Sequence, residues 1–211
     1  YVLIAHQDYF VKYLGWAAVI AIPFSVYNWN VYDSLLAPYY LPQDQLGEAS
    51  PYETNYLNGM TGLLFSPARG LFVYSPLFVF SFAGATLGYR KTRDRLYVIL
   101  PVLCIFHWLL LSSFGDWWGG HSYGPRYFSD LSPIFVYLLI PILQLEFQPW
   151  TPPRVALVSA LVVVSIVSFA MHSQGATQLA CWEWNRSPRD VNVAQERLWD
   201  WEDAQFLRGL R

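Results

Sequence analysis

The chain has 211 residues, of which 55% are hydrophobic, 18% aromatic and only 13% charged. A soluble domain carries about a quarter charged residues, so this composition excludes an ordinary water-soluble globule. The net charge of −2 and a pI near 6.1 give no basic face for nucleic acid. Two cysteines, Cys104 and Cys181, are too few for a disulfide framework and lie in no metal-ligand spacing.

In chain order, the apolar start at Tyr1–Ala5 carries no initiator Met and no basic-then-apolar leader, and reads as the tail of an earlier span in a longer protein. Crossing a bilayer core takes about 20 mostly apolar residues. Five stretches meet that need, at 10–30, 71–89, 96–114, 128–145 and 155–171. The expected fold is all-α and multi-pass, with a transmembrane domain over 1–171 and a polar external tail over 172–211. Between the first two spans, Pro38, Pro42 and Pro51 forbid one long helix. The run from Gly62 through Ser66-Pro67-Ala68-Arg69 to Gly70 is apolar but broken, and predicts an interfacial turn into the second span.

The turn Arg90-Lys91-Thr92-Arg93-Asp94-Arg95 holds four cations between the second and third spans. Short basic loops stay in the cytoplasm, which puts the loop 115–127 and the tail on the outer side. His107 falls inside the third span, where a neutral ring sharing its N–H with a neighbouring helix and a functional role both stand as readings. The final span has small residues at Ala156, Ser159, Ala160, Ser165 and Ser168 that would admit a close neighbour. Trp29, Tyr39, Tyr40, Trp117, Trp118, Trp150 and Trp182 are placed where rings meet headgroups.

Chemistry concentrates between Phe114 and Asp130. This loop combines Gly115, Gly119, Gly120 and Gly124 with Trp117, Trp118, His121, Tyr123, Arg126 and Tyr127, and the carboxylate of Asp116. Aromatic faces suit sugar rings, and the planar fork of Arg126 suits phosphate. The opposing reading makes Asp130 a helix cap ahead of Pro133, Arg126 its ion-pair partner, and the tryptophans membrane-belt residues. Arg69 fits either a phosphate site or a headgroup anchor. His121 and Asp116 lack a third ligand at a fitting spacing, so no metal and no cofactor is expected. The anchors Trp182, Trp184, Trp199, Trp201, Phe206 and Leu207 predict a folded tail, with a short helix within 197–207 covering the loop.

Four blocks carry a family resemblance: Tyr27-Asn28-Trp29; Gly62 to Pro76 through Ser66-Pro67-Ala68-Arg69-Gly70; Asp116-Trp-Trp-Gly-Gly-His-Ser-Tyr-Gly-Pro-Arg126-Tyr127; and Arg197-Leu-Trp-Asp-Trp201 with Gln205-Phe-Leu-Arg208. In this order they resemble the C-terminal half of bacterial glycosyltransferases of the GT-C superfamily, relatives of protein O-mannosyltransferases and of the lipid A aminoarabinose transferase. The resemblance implies transfer of a sugar from a polyprenyl-phosphate donor to an acceptor outside the bacterial cytoplasmic membrane. It implies substrate contacts by Arg126, Arg69, Trp117, Trp118, His121, Tyr123 and Tyr127. The catalytic carboxylate of such enzymes stands in a first external loop upstream of this sequence, so no residue here inherits that role. Loss of that half equally fits a non-catalytic membrane subunit that packs or anchors other subunits and contacts membrane lipids.

Overall fold

A computed structural model describes residues 7–35, 55–145 and 148–210. The described residues are helical or irregular, with no strand among them. The chain divides into two units, Tyr1–Glu53 and Thr54–Arg211.

The first unit contributes helix α1, Gln7–Tyr32. Its 26 residues rise about 39 Å at 1.5 Å each, more than the roughly 30 Å hydrocarbon core. Most of its side chains are exposed, with Val11 77%, Trp16 76% and Ile20 75%, while Asn28 is buried and donates to Leu35 O. A helix apolar all round suits lipid rather than water. It ends where Asp33 turns left-handed, at φ 52°. The prolines and acidic residues expected at 38–53, with Tyr39 and Tyr40, lie outside the described residues.

In the second unit, α2 (Tyr56–Phe65) starts at an Asn55 cap whose side chain accepts the Asn58 N–H. A tight turn over 66–70 follows. Ser66 Oγ accepts the backbone N–H of Ala68 and Arg69 and donates to Leu198 O. This turn is buried throughout. The stretch 71–89 is not one continuous helix. Its first part is a single turn, α3 (Leu71–Tyr74), followed by a 3-10 turn, Pro76–Phe78, and then α4 (Val79–Thr92). Pro76 lacks a backbone donor and drives Ser75 out of helix, to φ −132° and ψ 60°.

Helix α5 (Leu96–Leu111) is apolar but has only 16 residues, shorter than the stretch 96–114 read from hydropathy. A 3-10 segment, Arg126–Leu131, runs directly into α6 (Ser132–Leu143). Helix α7, Pro152–Thr177, extends the last expected span at both ends. Among the described residues, three helical stretches are long and apolar enough to cross a membrane: Gln7–Tyr32, Arg126–Leu143 and Pro152–Thr177.

The second unit is built around α4 against α6. Ser81, Gly84, Ala85 and Gly88 form the buried stripe of α4. Ser81 Oγ donates to Phe135 O at 2.9 Å, and Phe78 stacks on Phe135 with ring centres 4.8 Å apart. A Cβ at Gly84 would fall 1.9 Å from Leu138 O, so the two backbones approach as closely as only glycine permits. The small residues of α7 do not serve this way. Ala156, Ser159, Ala160 and Ser165 are exposed, and Ser168 alone reaches a neighbour, accepting the Leu77 N–H at 3.4 Å.

Beyond α7 the chain folds back on the loop between α5 and α6. It forms α8 (Leu179–Glu183) and two 3-10 segments, Gln195–Trp199 and Gln205–Leu210. The tail arginines are tied locally: Arg189 pairs with Glu196, Arg197 and Arg208 both pair with Asp203, and Arg186 lies 4.7 Å over the Trp182 ring.

Candidate functional site

The loop 112–125 leaves α5 and changes direction three times at glycine. Gly119, Gly120 and Gly124 hold φ of +69°, +63° and +61°, the left-handed region that costs an L side chain energy. Gly124 is doubly constrained, because a Cβ there would stand 2.9 Å from the Tyr74 ring.

Under this loop lies Arg69, 1% exposed. Its guanidinium donates all five N–H bonds: Nε to Trp118 O at 2.8 Å, Nη1 to Ala68 O at 2.9 Å and Gln205 Oε1 at 2.7 Å, and Nη2 to Gly120 O at 3.1 Å and Asn185 Oδ1 at 2.8 Å. Every acceptor is neutral. The cation also sits 5.7 Å from the Trp184 ring. Burial lowers its pKa to about 10, so it stays protonated at neutral pH. Five dipoles and an aromatic face here replace the water a buried charge must lose. Arg69 thus has no donor left for a ligand and acts as the pin joining loop, turn and tail.

Gln205 completes the joint. Its Oε1 takes the Arg69 bond, and its Nε2 donates to Ser122 O and Cys181 O, each at 2.9 Å. The tail covers the loop, as expected, through further contacts. Trp118 Nε1 donates to Asn192 Oδ1 at 2.9 Å, and Trp117 packs its ring 6.3 Å from Trp199. His121 Nε2 donates to the Asp190 carboxylate at 2.9–3.0 Å. That bond, with the Asn192 N–H, holds the Asp190 carboxyl below the ordinary carboxylate range.

The sequence-predicted residues therefore separate. Trp117 and Trp118 are 3% and 1% exposed, packed edge-to-face, and are core residues instead of belt or sugar platforms. Among the other expected belt residues, Trp29, Trp150 and Trp182 are exposed. Tyr123 donates to Met171 O at 2.6 Å and meets Tyr74 edge-on. Tyr127 sets its ring edge-on to Phe114, and its carbonyl accepts the N–H of His107 Nε2 at 2.9 Å. The hydrogen-bonded reading of His107 is the one observed.

Arg126 is different. It is exposed, its stem runs beside Gly119, and Nη1 makes one bond of 3.3 Å to Gly119 O. Among the described residues it has no ion-pair partner, so the expected pairing with Asp130 is not formed. Nor does Asp130 cap α6. It lies within the 3-10 turn, and Leu131 stands at the cap with no side-chain bond. Among the described residues no three His, Cys, Asp or Glu side chains cluster around a common point.

The partners Asn185, Asp190, Asn192 and Gln205 were not singled out as ligands or anchors from the sequence. Gln205 and Asn185 are neutral, so they carry no charge pattern; a lone amide among tail aromatics is the one local signal. Comparison with family models, curated proteins and solved structures returned no match.

Proposed function

We propose that this chain is the C-terminal part of a multi-pass bacterial membrane glycosyltransferase. It takes a sugar from a polyprenyl-phosphate donor and passes it to an acceptor on the outer face. Five passes are assigned to α1, the bent α3–α4 segment, α5, the Arg126–Leu143 stretch and α7. The basic turn 90–95 is cytoplasmic in this reading, and the loop and tail are external.

The observation that carries the reading is the contrast between the two arginines. Arg69 spends every donor on the scaffold, whereas Arg126 presents an open guanidinium fork on a loop that Arg69 and Gln205 hold rigid. A fixed, unpaired fork at headgroup level is a suitable recognition element for a lipid-borne phosphate. Its role would be electrostatic, stabilising charge on the phosphate as the sugar leaves. His121 and Tyr127, half-exposed nearby in the loop, would border the sugar. The resemblance of the four blocks to GT-C enzymes supports the same assignment.

The burial of Trp117, Trp118 and Arg69 favours a second reading, a non-catalytic subunit that keeps the scaffold and packs other membrane subunits. Sugar transfer by the full-length protein in proteoliposomes separates the two. Under the enzyme reading, Arg126→Ala and Arg126→Lys both fold and both lose transfer. Unchanged transfer by both folded variants would leave the scaffold reading.

A further inference from the structure

The basic turn does more than set topology. Arg90, Lys91, Arg93 and Arg95 are all exposed, and none forms an ion pair among the described residues. The single carboxylate among them, Asp94, accepts the N–H of Leu96, the first residue of α5, at 2.9 Å. Arg93, at φ 56°, closes α4 and keeps the turn short, which crowds four cations against one carboxylate.

Directly beside this turn, between α4 and α5, lies an open groove of about 410 Å³. Its walls are apolar and aromatic, with Phe82, Tyr89, Tyr97, Val98 and Val102, and Arg90 stands in its lining. Tyr97 is braced from behind by stacking on Tyr137 at 5.4 Å, so the groove wall is packed and not a loose side chain. At the end nearest the turn the two helices approach closely, because Gly88 of α4 lies against the Tyr97 ring of α5, where a Cβ would fall 2.5 Å from it.

We infer that this end of α4 and α5 is a binding site for an anionic phospholipid, with one acyl chain in the groove and the phosphate among Arg90, Lys91, Arg93 and Arg95. The chemistry is complementary at both ends: hydrocarbon against an apolar wall, and unpaired cations where that wall meets the headgroups. A zwitterionic lipid would fill the groove equally but would lack net charge for the turn. The site rests on membrane placement and not on the glycosyltransferase reading. It lies in a different part of the second unit from the Arg126 loop.

The test is native mass spectrometry of the full-length protein in non-ionic detergent. It is titrated with phosphatidylglycerol, with phosphatidylcholine of the same acyl chains, and with inorganic phosphate. Each basic residue near an anionic headgroup is worth roughly fivefold in affinity. Neutralising Arg90, Lys91 and Arg93 together to Gln should therefore cut the preference for phosphatidylglycerol about a hundredfold, leaving the roughly fivefold share of Arg95. Val98→Trp, which fills the groove and leaves the charges, should weaken phosphatidylglycerol binding at least tenfold, and Thr86→Trp gives the same check from the α4 side. Equal binding of the two lipids, or a preference that the triple substitution leaves undiminished, would overturn the site. Competition by inorganic phosphate at matching concentrations would reduce it to a soluble-anion patch, and undiminished binding in both tryptophan variants would refute the groove.

Discussion

Replacing Arg69 by Lys tests whether the loop, the turn and the tail are truly pinned through one side chain. The ammonium has three donors where the guanidinium has five, and they diverge from a point instead of lying in a plane. At least two charge-assisted bonds are lost, each worth about 1.5–3 kcal/mol, in a site 1% exposed where no water replaces them. The loss is therefore about 3–6 kcal/mol, before counting acceptors such as Asn185 Oδ1 and Gln205 Oε1 left unpaired. For a unit of this size each kcal/mol moves the melting temperature by roughly 2–4 °C, so a fall of about 6–24 °C is expected. Thermal unfolding in detergent, followed by tryptophan emission, reads this directly, because Trp117, Trp118 and Trp184 are buried around the pin. Arg126→Lys, changed in the open, should leave the melt within about 2 °C, since exposed substitutions cost under ~0.5 kcal/mol. Equal melts for Arg69→Lys and the parent protein would refute the argument that five neutral acceptors carry this charge.

Three further outcomes follow from the same geometry. Gly62→Ala should destabilise by about 1–3 kcal/mol, because the new Cβ would meet the Trp117 ring at 2.2 Å; a neutral or stabilising result by the same melt would show that the ring yields. The tail should loosen on acidification. The Asp190 carboxyl is held low by its His121 bond, and Asp203 is held low although burial pushes it up, because Arg208 and Arg197 outweigh that push. Depressed carboxyls contribute stability that is present above the unfolded value near 4 and lost as pH falls through the folded value. Tail tryptophan emission should thus be steady from pH 7 to about 4.5 and shift red below about 4, whereas a shift centred near 6 would contradict it. Cysteines introduced at Thr92 and Trp150 should label from one side of the membrane and one at Arg189 from the other; labelling of all three from one side would undo the proposed topology.

The long apolar helices were legible because hydropathy and length report on them directly. The segments 10–30, 128–145 and 155–171 each fall on a long apolar helical stretch. The break at Ser75-Pro76 was misread because the surrounding residues stay apolar across it, and hydropathy does not register a lost backbone donor. Trp117 and Trp118 were misplaced at a membrane belt for a related reason. An indole in a polar loop has the same composition whether it faces headgroups or, as here, is roofed by residues 192 and 199 from the distant tail. Arg69 was the least legible. Its partners at 185 and 205 are more than a hundred residues away and uncharged, so no spacing and no charge pairing announces them. The openness of Arg126 and its independence from Asp130 depend on the 3-10 turn, which capping patterns do not foretell.

The central claim is that Arg126 recognises a lipid-borne phosphate, and direct binding tests it most closely. Isothermal titration of the full-length protein in detergent with a short-chain polyprenyl-phosphate sugar should give affinity about ten- to a hundredfold weaker for Arg126→Lys and Arg126→Ala, the loss of one charged hydrogen-bond partner, with melts unchanged. Identical affinity in all three proteins, each folded, would make Arg126 a surface arginine and remove the observation on which the glycosyltransferase reading stands.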